Sequence, residues 1–470
     1  MKRFVIFFLS ILLFVAVFGI SATYTTLQIL GVGGKNVFTL QGSSNSEPLQ
    51  RDEYKKEVIA VRYINKNKQI DSRQIILYRP LNKKGNIPLI YVPHYSVEEE
   101  SEDFKTYIRN GWAVSSPYLF ESKQNAALVT DGLVFNNAAL YTLRNYPGVD
   151  KQRIAIVGGS AGGYTTLMLS QLQMGTSASI ANSPISNVYF NLHIHFMRCD
   201  SINHHAGIFN FPIPIQGMIS KLFRPINDNF KNEKDPMWEA TSPVSMARQF
   251  SNPTVINHNT GDILVPIDQI TKKYAYKNND GTLPKGFNGR MEKNYPGLLS
   301  CSLEDLADPN EIFIKKYTFK NNNIVGEMPF SRKILTINVI DDGPISGKSS
   351  HAAPSTTGSF NTIPFLKTMF AQTLKETEQL VPEKLLLLLD RYQGKSKQLP
   401  AHSGVDDTVY GSFAIYQKEI IDELSNYIYN HSLDELNMAM NAAIAKSTND
   451  SDCKIKHLAT WREIRKSLRF

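Results

Sequence analysis

Cysteine is scarce in this chain. Its 470 residues carry three, Cys199, Cys301 and Cys453, far apart and never in a C-x-x-C pair. That excludes a disulfide framework and a zinc ribbon. Glycine (28) and proline (23) are too few and too unperiodic for a collagen-like or low-complexity chain. There is no internal repeat. Neither sign of charge dominates: 51 Lys and Arg against 43 Asp and Glu leave a net +8, mild over this length and without a nucleic-acid footprint. What remains is an ordinary globular composition, 42% hydrophobic and 10% aromatic, long enough to bury a large core without metal or disulfide staples.

The N-terminus is distinctive. Lys2 and Arg3 precede an apolar run from Phe4 to Ala22 that closes on Gly19, Ser21 and Ala22. A basic start, an apolar stretch and small residues before polar sequence describe a secretory signal peptide. The run is nearly long enough to cross a bilayer, so an uncleaved anchor is the alternative. Either places the body outside the cytoplasm, secreted, periplasmic or tethered. Residues 23–50 are rich in Gly, Ser, Asn and Thr and form a linker.

Regular structure follows. Val58–Ile64 and Gln74–Tyr78 are β-rich runs around a polar turn, an antiparallel pair. Pro88–Val92, Trp112–Ser115, Arg153–Val157, Ala178–Asn182, Thr254–His258 and Lys333–Val339 are further strands, and helical stretches stand at Glu98–Arg109, Val129–Asn145 and Tyr164–Gln173. Alternation of this kind predicts an α/β fold: a doubly wound, mainly parallel sheet covered on both faces. Asn187–Ser251 and Asn278–Phe330 break the rhythm and are expected as insertions over the C-terminal strand edge. The core is expected over 51–363, and 364–470 as a helical extension.

Gly158-Gly159-Ser160-Ala161-Gly162 fits G-x-S-x-G between a β-rich run and a helix. A nucleophile on a sharp strand-to-helix turn needs its neighbours stripped of side chains, and these glycines do that. The Ala161 N–H then lies at a helix N-terminus, where an oxyanion would develop. The run lacks the Gly-Lys-Ser/Thr ending of a phosphate loop and the spacing of a dinucleotide fingerprint. A serine hydroxyl needs a base and an orienting acid, expected in the order Ser, Asp, His. Asp262 follows the Thr254–His258 strand in PTVINHNTGDILVPID and is the candidate acid, with Asp268 as an alternative helix cap. His351, on a loop after the last strand, is the candidate base, and His402 the alternative. The second oxyanion donor is expected after Pro88–Val92, from the backbone N–H of Tyr95 or Ser96 or from the Tyr95 hydroxyl.

The runs VDKQRIAIVGGSAGGY (Val149–Tyr164) and HNTGDILVP (His258–Pro266) resemble the α/β-hydrolase fold, and within it the catalytic domains of prolyl-oligopeptidase-like (S9-type) peptidases and related esterases. The resemblance covers roughly Glu57–His351. It implies a serine hydrolase acting through Ser160, Asp262 and His351, with Ala161 and Tyr95 at the oxyanion and no cofactor. Two features depart from the pattern. Fewer than 60 residues precede the core, too few for a β-propeller, and His94-Tyr95 replaces the usual His-Gly segment. The expected substrates are small to medium esters or peptides; a non-catalytic binding protein on the same fold is the alternative. His193, His195, Cys199, His204 and His205 cluster in NLHIHFMRCDSINHH, but their spacing matches no zinc pattern, and lid packing is the expectation. Nothing in the sequence indicates an oligomeric state.

Overall fold

The computed structural model describes residues 49, 53–65, 67, 69–118, 127–197, 224–260, 262, 265–274, 297–320, 323–325, 334–341, 354–394, 417, 420–425, 427–428, 431–447 and 450–468. Among them, ten strands form one sheet: β1 (Tyr54–Ile64), β2 (Ile70–Pro80), β3 (Ile87–Tyr91), β4 (Ala113–Pro117), β5 (Val149–Gly159), β6 (Ala178–Asn182), β7 (Thr254–Asn259), β8 (Ile312–Lys320), β9 (Asn323–Val325) and β10 (Leu335–Asp341). Their order is β1-β2-β4-β3-β5-β6-β7-β10-β8-β9. The seven strands from β4 to β8 in that order run parallel. Antiparallel partners close both ends, β1 and β2 at one, β9 at the other.

Side chains alternate across a strand, so each central strand feeds two cores. Leu89, Tyr91, Ile154 and Ile156 face Phe135, Ala139 and Leu143 of helix α2 (Asp131–Arg144). Ile90, Ala155 and Val157 face the other way, onto Phe104 and Ile108 of α1 (Glu102–Arg109) and onto Phe365, Leu366 and Met369 of α4 (Pro354–Phe370). The remaining major core helix is α3 (Ala161–Leu172), which leaves β5 directly. The sheet is therefore covered on both faces, as the alternation of elements requires.

Two boundaries differ from expectation. Position 363 falls inside α4, whose buried Phe365, Leu366 and Met369 pack with the sheet. The core thus continues through that helix, because its apolar face has a sheet to cover. Within 278–330, β8 extends the main sheet parallel to β10; its lysines and its break from the other strands conceal it in the sequence. Beyond the core, α5 (Pro382–Tyr392), α6 (Leu433–Lys446) and α7 (Ser451–Ser467) share an apolar core of their own. Leu385, Leu388, Leu389 and Tyr392 form the stripe of α5, at spacings of three, four and seven residues. The N-terminal 48 residues lie outside the described residues, and no described helix is long and apolar enough to cross a membrane.

Candidate active site

The strand order reverses around β3, with β4 on one side and β5 on the other, and sites of open α/β sheets form at such a switch point. Three non-glycine residues with left-handed φ stand at this edge: His94 (71°) after β3, Ser160 (53°) after β5 and Ser183 (43°) after β6. Backbone held there costs about 1–3 kcal/mol per residue and persists only where surrounding contacts enforce it. Strain gathered on one edge of three neighbouring strands makes that edge the candidate site.

Ser160 has φ 53° and ψ −118° and joins β5 to α3 without a residue between them. Its N–H donates to Asn182 O at 2.9 Å and its carbonyl accepts from Tyr164 N–H at 2.9 Å, so both of its backbone groups are fixed. The glycines leave room for the close approach of backbone around the serine. A Cβ on Gly158 would lie 2.4 Å from Gly162 O, one on Gly162 2.9 Å from Pro93 O, and one on Gly163 3.0 Å from Asn182 O. Behind the elbow, buried carboxamides run across the sheet. Asn257 donates to Asn182 Oδ1 at 2.8 Å, and Asn338 donates to Asn257 Oδ1 at 2.9 Å. All three stand in register on β6, β7 and β10.

The loop after β3 brings Tyr95 to the elbow. Its hydroxyl hydrogen-bonds with the Ser160 side chain and accepts from the Ala161 backbone N–H. The Tyr95 backbone N–H is used differently: it donates to Pro93 O at 2.9 Å, closing a three-residue turn around His94. Of the donors considered for Tyr95, the hydroxyl is therefore the one presented to the serine. Burial pushes that hydroxyl up to about 12, against the opposing pull of the Ser160 and Ala161 contacts, so it stays a neutral donor at ordinary pH. A substrate carbonyl oxygen arriving beside Ala161 would take the place of the Tyr95 oxygen as acceptor and could receive both donors.

Asp262 is buried on the loop after β7. Its Oδ1 accepts the Val265 N–H at 2.9 Å, while His258 Nε2, on the strand, meets Val265 O at 2.7 Å. A carbonyl only accepts, so His258 carries its proton on Nε2. That nitrogen lies 3.8 Å from Asp262 Oδ2. Val265 is thus held at both its N–H and its carbonyl, which fixes the carboxylate at the sheet edge. Asp268 is fully buried in the 3-10 turn Ile267–Gln269. His351 and His402 lie outside the described residues.

In the first insertion, His193 meets Asn227 Oδ1 at 3.1 Å and Glu233 Oε1 at 3.4 Å and stacks on Tyr189. Cys199, His204 and His205 lie outside the described residues. Phe230 stacks on Trp238, and both join Ala161, Tyr189 and Leu192 in the apolar cluster over the start of α3. The sequence alone did not single out Asn136, the three-asparagine row or Ser183. The available signal for Asn136 is a carboxamide within an otherwise apolar helix face.

The BD-FAE family model, an esterase domain of the α/β-hydrolase fold, matches residues 77–275. That span holds Tyr95, Ser160, Ala161 and Asp262 and ends before His351. No curated protein sequence matches this chain. Among solved structures, an acylaminoacyl peptidase in complex with Z-Gly-Gly-Phe-chloromethyl ketone is similar at 15% identity and a TM-score of 0.40, over 70% of this chain and 43% of its own. The Pyrococcus horikoshii acylaminoacyl peptidase is similar at 13% identity and a TM-score of 0.40, over 70% and 42%. Prolyl oligopeptidase B from Galerina marginata is similar at 12% identity and a TM-score of 0.40, over 68% and 38%. This chain therefore spans less than half the length of these structures. The sheet order and the matched span identify the fold as that of the α/β-hydrolases.

Proposed function

We propose that this chain is an exported serine hydrolase that cleaves carboxylic esters, with peptide or amide bonds as the alternative substrate class. The observation that carries the proposal is the Ser160 elbow. A hydroxyl held on a left-handed strand-to-helix turn meets the Tyr95 hydroxyl and stands beside the Ala161 N–H. Ser160 Oγ attacks the acyl carbon as its proton passes to His351, and the carbonyl oxygen becomes an anion held by Ala161 N–H and the Tyr95 hydroxyl. Collapse expels the alcohol, which takes the proton from His351 and leaves Ser160 acylated. Water, deprotonated by His351, then releases the acid and restores the hydroxyl. Asp262 orients the imidazole and stabilises its charged form. The BD-FAE match favours an ester substrate. The basic then apolar run at Lys2–Ala22 supports export or a membrane tether.

The test compares wild type with Ser160→Ala on p-nitrophenyl acetate, with fluorophosphonate labelling in parallel. Turnover is expected to fall by about three orders of magnitude or more while the thermal midpoint holds, and only the wild type should take the label. An unlabelled wild type, or a Ser160→Ala variant that keeps its turnover, would refute the assignment.

A further inference from the structure

A left-handed turn at His94 needs something to hold it, because a residue with a Cβ seldom adopts that conformation unsupported. The ends of the loop are pinned to β4: Val92 N–H donates to Ser115 O at 2.8 Å, and Val97 N–H to Ser116 Oγ at 3.0 Å. The apex is held from another element. Asn136, buried on α2, accepts the His94 N–H at 3.2 Å on Oδ1, and the same oxygen accepts the Tyr91 hydroxyl at 2.7 Å. Its Nδ2 donates to Gly132 O at 2.6 Å within α2. That last bond fixes the orientation of the carboxamide, since a carbonyl cannot donate, and so it is the oxygen that faces the loop.

One step further along the chain, the His94 and Tyr95 rings meet edge to face with centroids 4.5 Å apart. The Tyr95 N–H closes the turn on Pro93 O. Displacing the His94 N–H therefore displaces the tyrosine. We infer that Asn136 is a positioning residue, whose side-chain oxygen holds the His94 turn and thereby aims the Tyr95 hydroxyl at Ser160. Asn136 touches no reacting atom. The inference rests on the serine-hydrolase reading above.

The experiment is a double-mutant cycle between Asn136→Leu and Tyr95→Phe, with wild type and Ser160→Ala assayed on the same ester. Asn136→Leu keeps the size and removes the acceptor. Its kcat is expected to fall ~10–100-fold with KM within ~3-fold, because the loss lies in aim and not in substrate binding. In the Tyr95→Phe background the same change should cost less than ~3-fold, since no hydroxyl is left to aim. Tyr91→Phe removes the other donor to the same oxygen, leaves the His94 bond, and should lose less than ~3-fold. If Asn136→Leu does not fold, Asn136→Ala takes its place in the cycle, with room for water and better helix propensity. A folded variant with wild-type kcat, or an equal loss in both backgrounds, overturns the role of Asn136. Absence of Ser160-dependent turnover in the wild type overturns the hydrolase reading instead.

Discussion

Replacing Gly162 by alanine is expected to slow turnover while leaving the fold in place. Gly162 lies in the first turn of α3 with ordinary helical backbone, so a side chain there carries no conformational penalty and improves helix propensity by about 1 kcal/mol. The cost is local. The new methyl would stand 2.9 Å from Pro93 O and 3.3 Å from Tyr95 Cδ2. Ordinary van der Waals contact for such a carbon begins at 3.4 Å, so Pro93 O must retreat by about half an ångström. Pro93 O is the acceptor that closes the His94 turn, and Tyr95 moves with it. A misplacement of about 1 Å can cost about a hundredfold in rate, so half that distance corresponds to about tenfold. The assay is kcat on p-nitrophenyl acetate alongside the thermal midpoint. Gly158→Ala supplies the contrast: its Cβ would lie 2.4 Å and 2.6 Å from the Gly162 backbone and 2.7 Å from Thr166 Oγ1, with no loop to yield, so it should fail to fold. A Gly162→Ala enzyme with unchanged kcat, or one as unstable as Gly158→Ala, would refute this reasoning.

Tyr95→Phe keeps the ring packing and removes the donor, and kcat should fall ~100-fold or more, the usual cost of one oxyanion contact. Because burial holds the Tyr95 hydroxyl up to about 12, the pH–rate curve should drop uniformly without its limbs moving; a shifted alkaline limb would show that Tyr95 titrates in the working range. Glu378→Gln should flatten the pH dependence of stability. Burial raises the Glu378 carboxyl even though Lys384 opposes this, so the folded state keeps a proton that the unfolded chain releases. Stability therefore falls as pH rises from the ordinary carboxylate range toward neutrality, by at most about 1.4 kcal/mol per pH unit. Burial of Lys384 lowers its ammonium and acts oppositely at higher pH, where the folded state binds fewer protons and stability rises with pH. Denaturant midpoints for wild type and Glu378→Gln across pH 5–7 (about the window of one carboxyl) decide the matter, and equal slopes would exclude Glu378 as the cause.

The elbow was legible because its constraint is steric and local: Gly158 and Gly162 are forced by atoms within a few residues or on the adjoining loop. The central strands were legible because they are buried on both faces and so read as short β-rich runs between helices. The Tyr95 contact was legible only as one of several options. Whether a backbone N–H or a side chain faces the serine depends on the left-handed turn at His94, and no glycine announces that turn. Asn136 was hidden because its partners are 42 and 45 residues away. The strand β8 was hidden because Lys315 and Lys316 interrupt its apolar pattern. Lys384 and Arg391 look like the solvated face of a leucine-rich helix, yet both are buried.

Those two cations reveal what the helical extension does for the core. Lys384 Nζ donates to Ser170 O at 3.0 Å and also to Gln173 O, and Arg391 donates to Leu172 O at 2.8 Å. From α2, Arg144 donates to Met174 O and to Gln173 Oε1 at 3.2 Å. Three buried cations thus converge on the C-terminal carbonyls of α3 and the residues just beyond, where the helix dipole favours positive charge. Glu423 lies 3.6 Å from Arg144 and 3.4 Å from Arg391 and offsets part of their charge, and Glu378 accepts the Gly175 N–H at 2.7 Å. Ser160 begins the helix whose far end these groups cap. The extension therefore does more than cover apolar surface: it satisfies carbonyls that the helix cannot satisfy itself, and it anchors the helix that starts at Ser160.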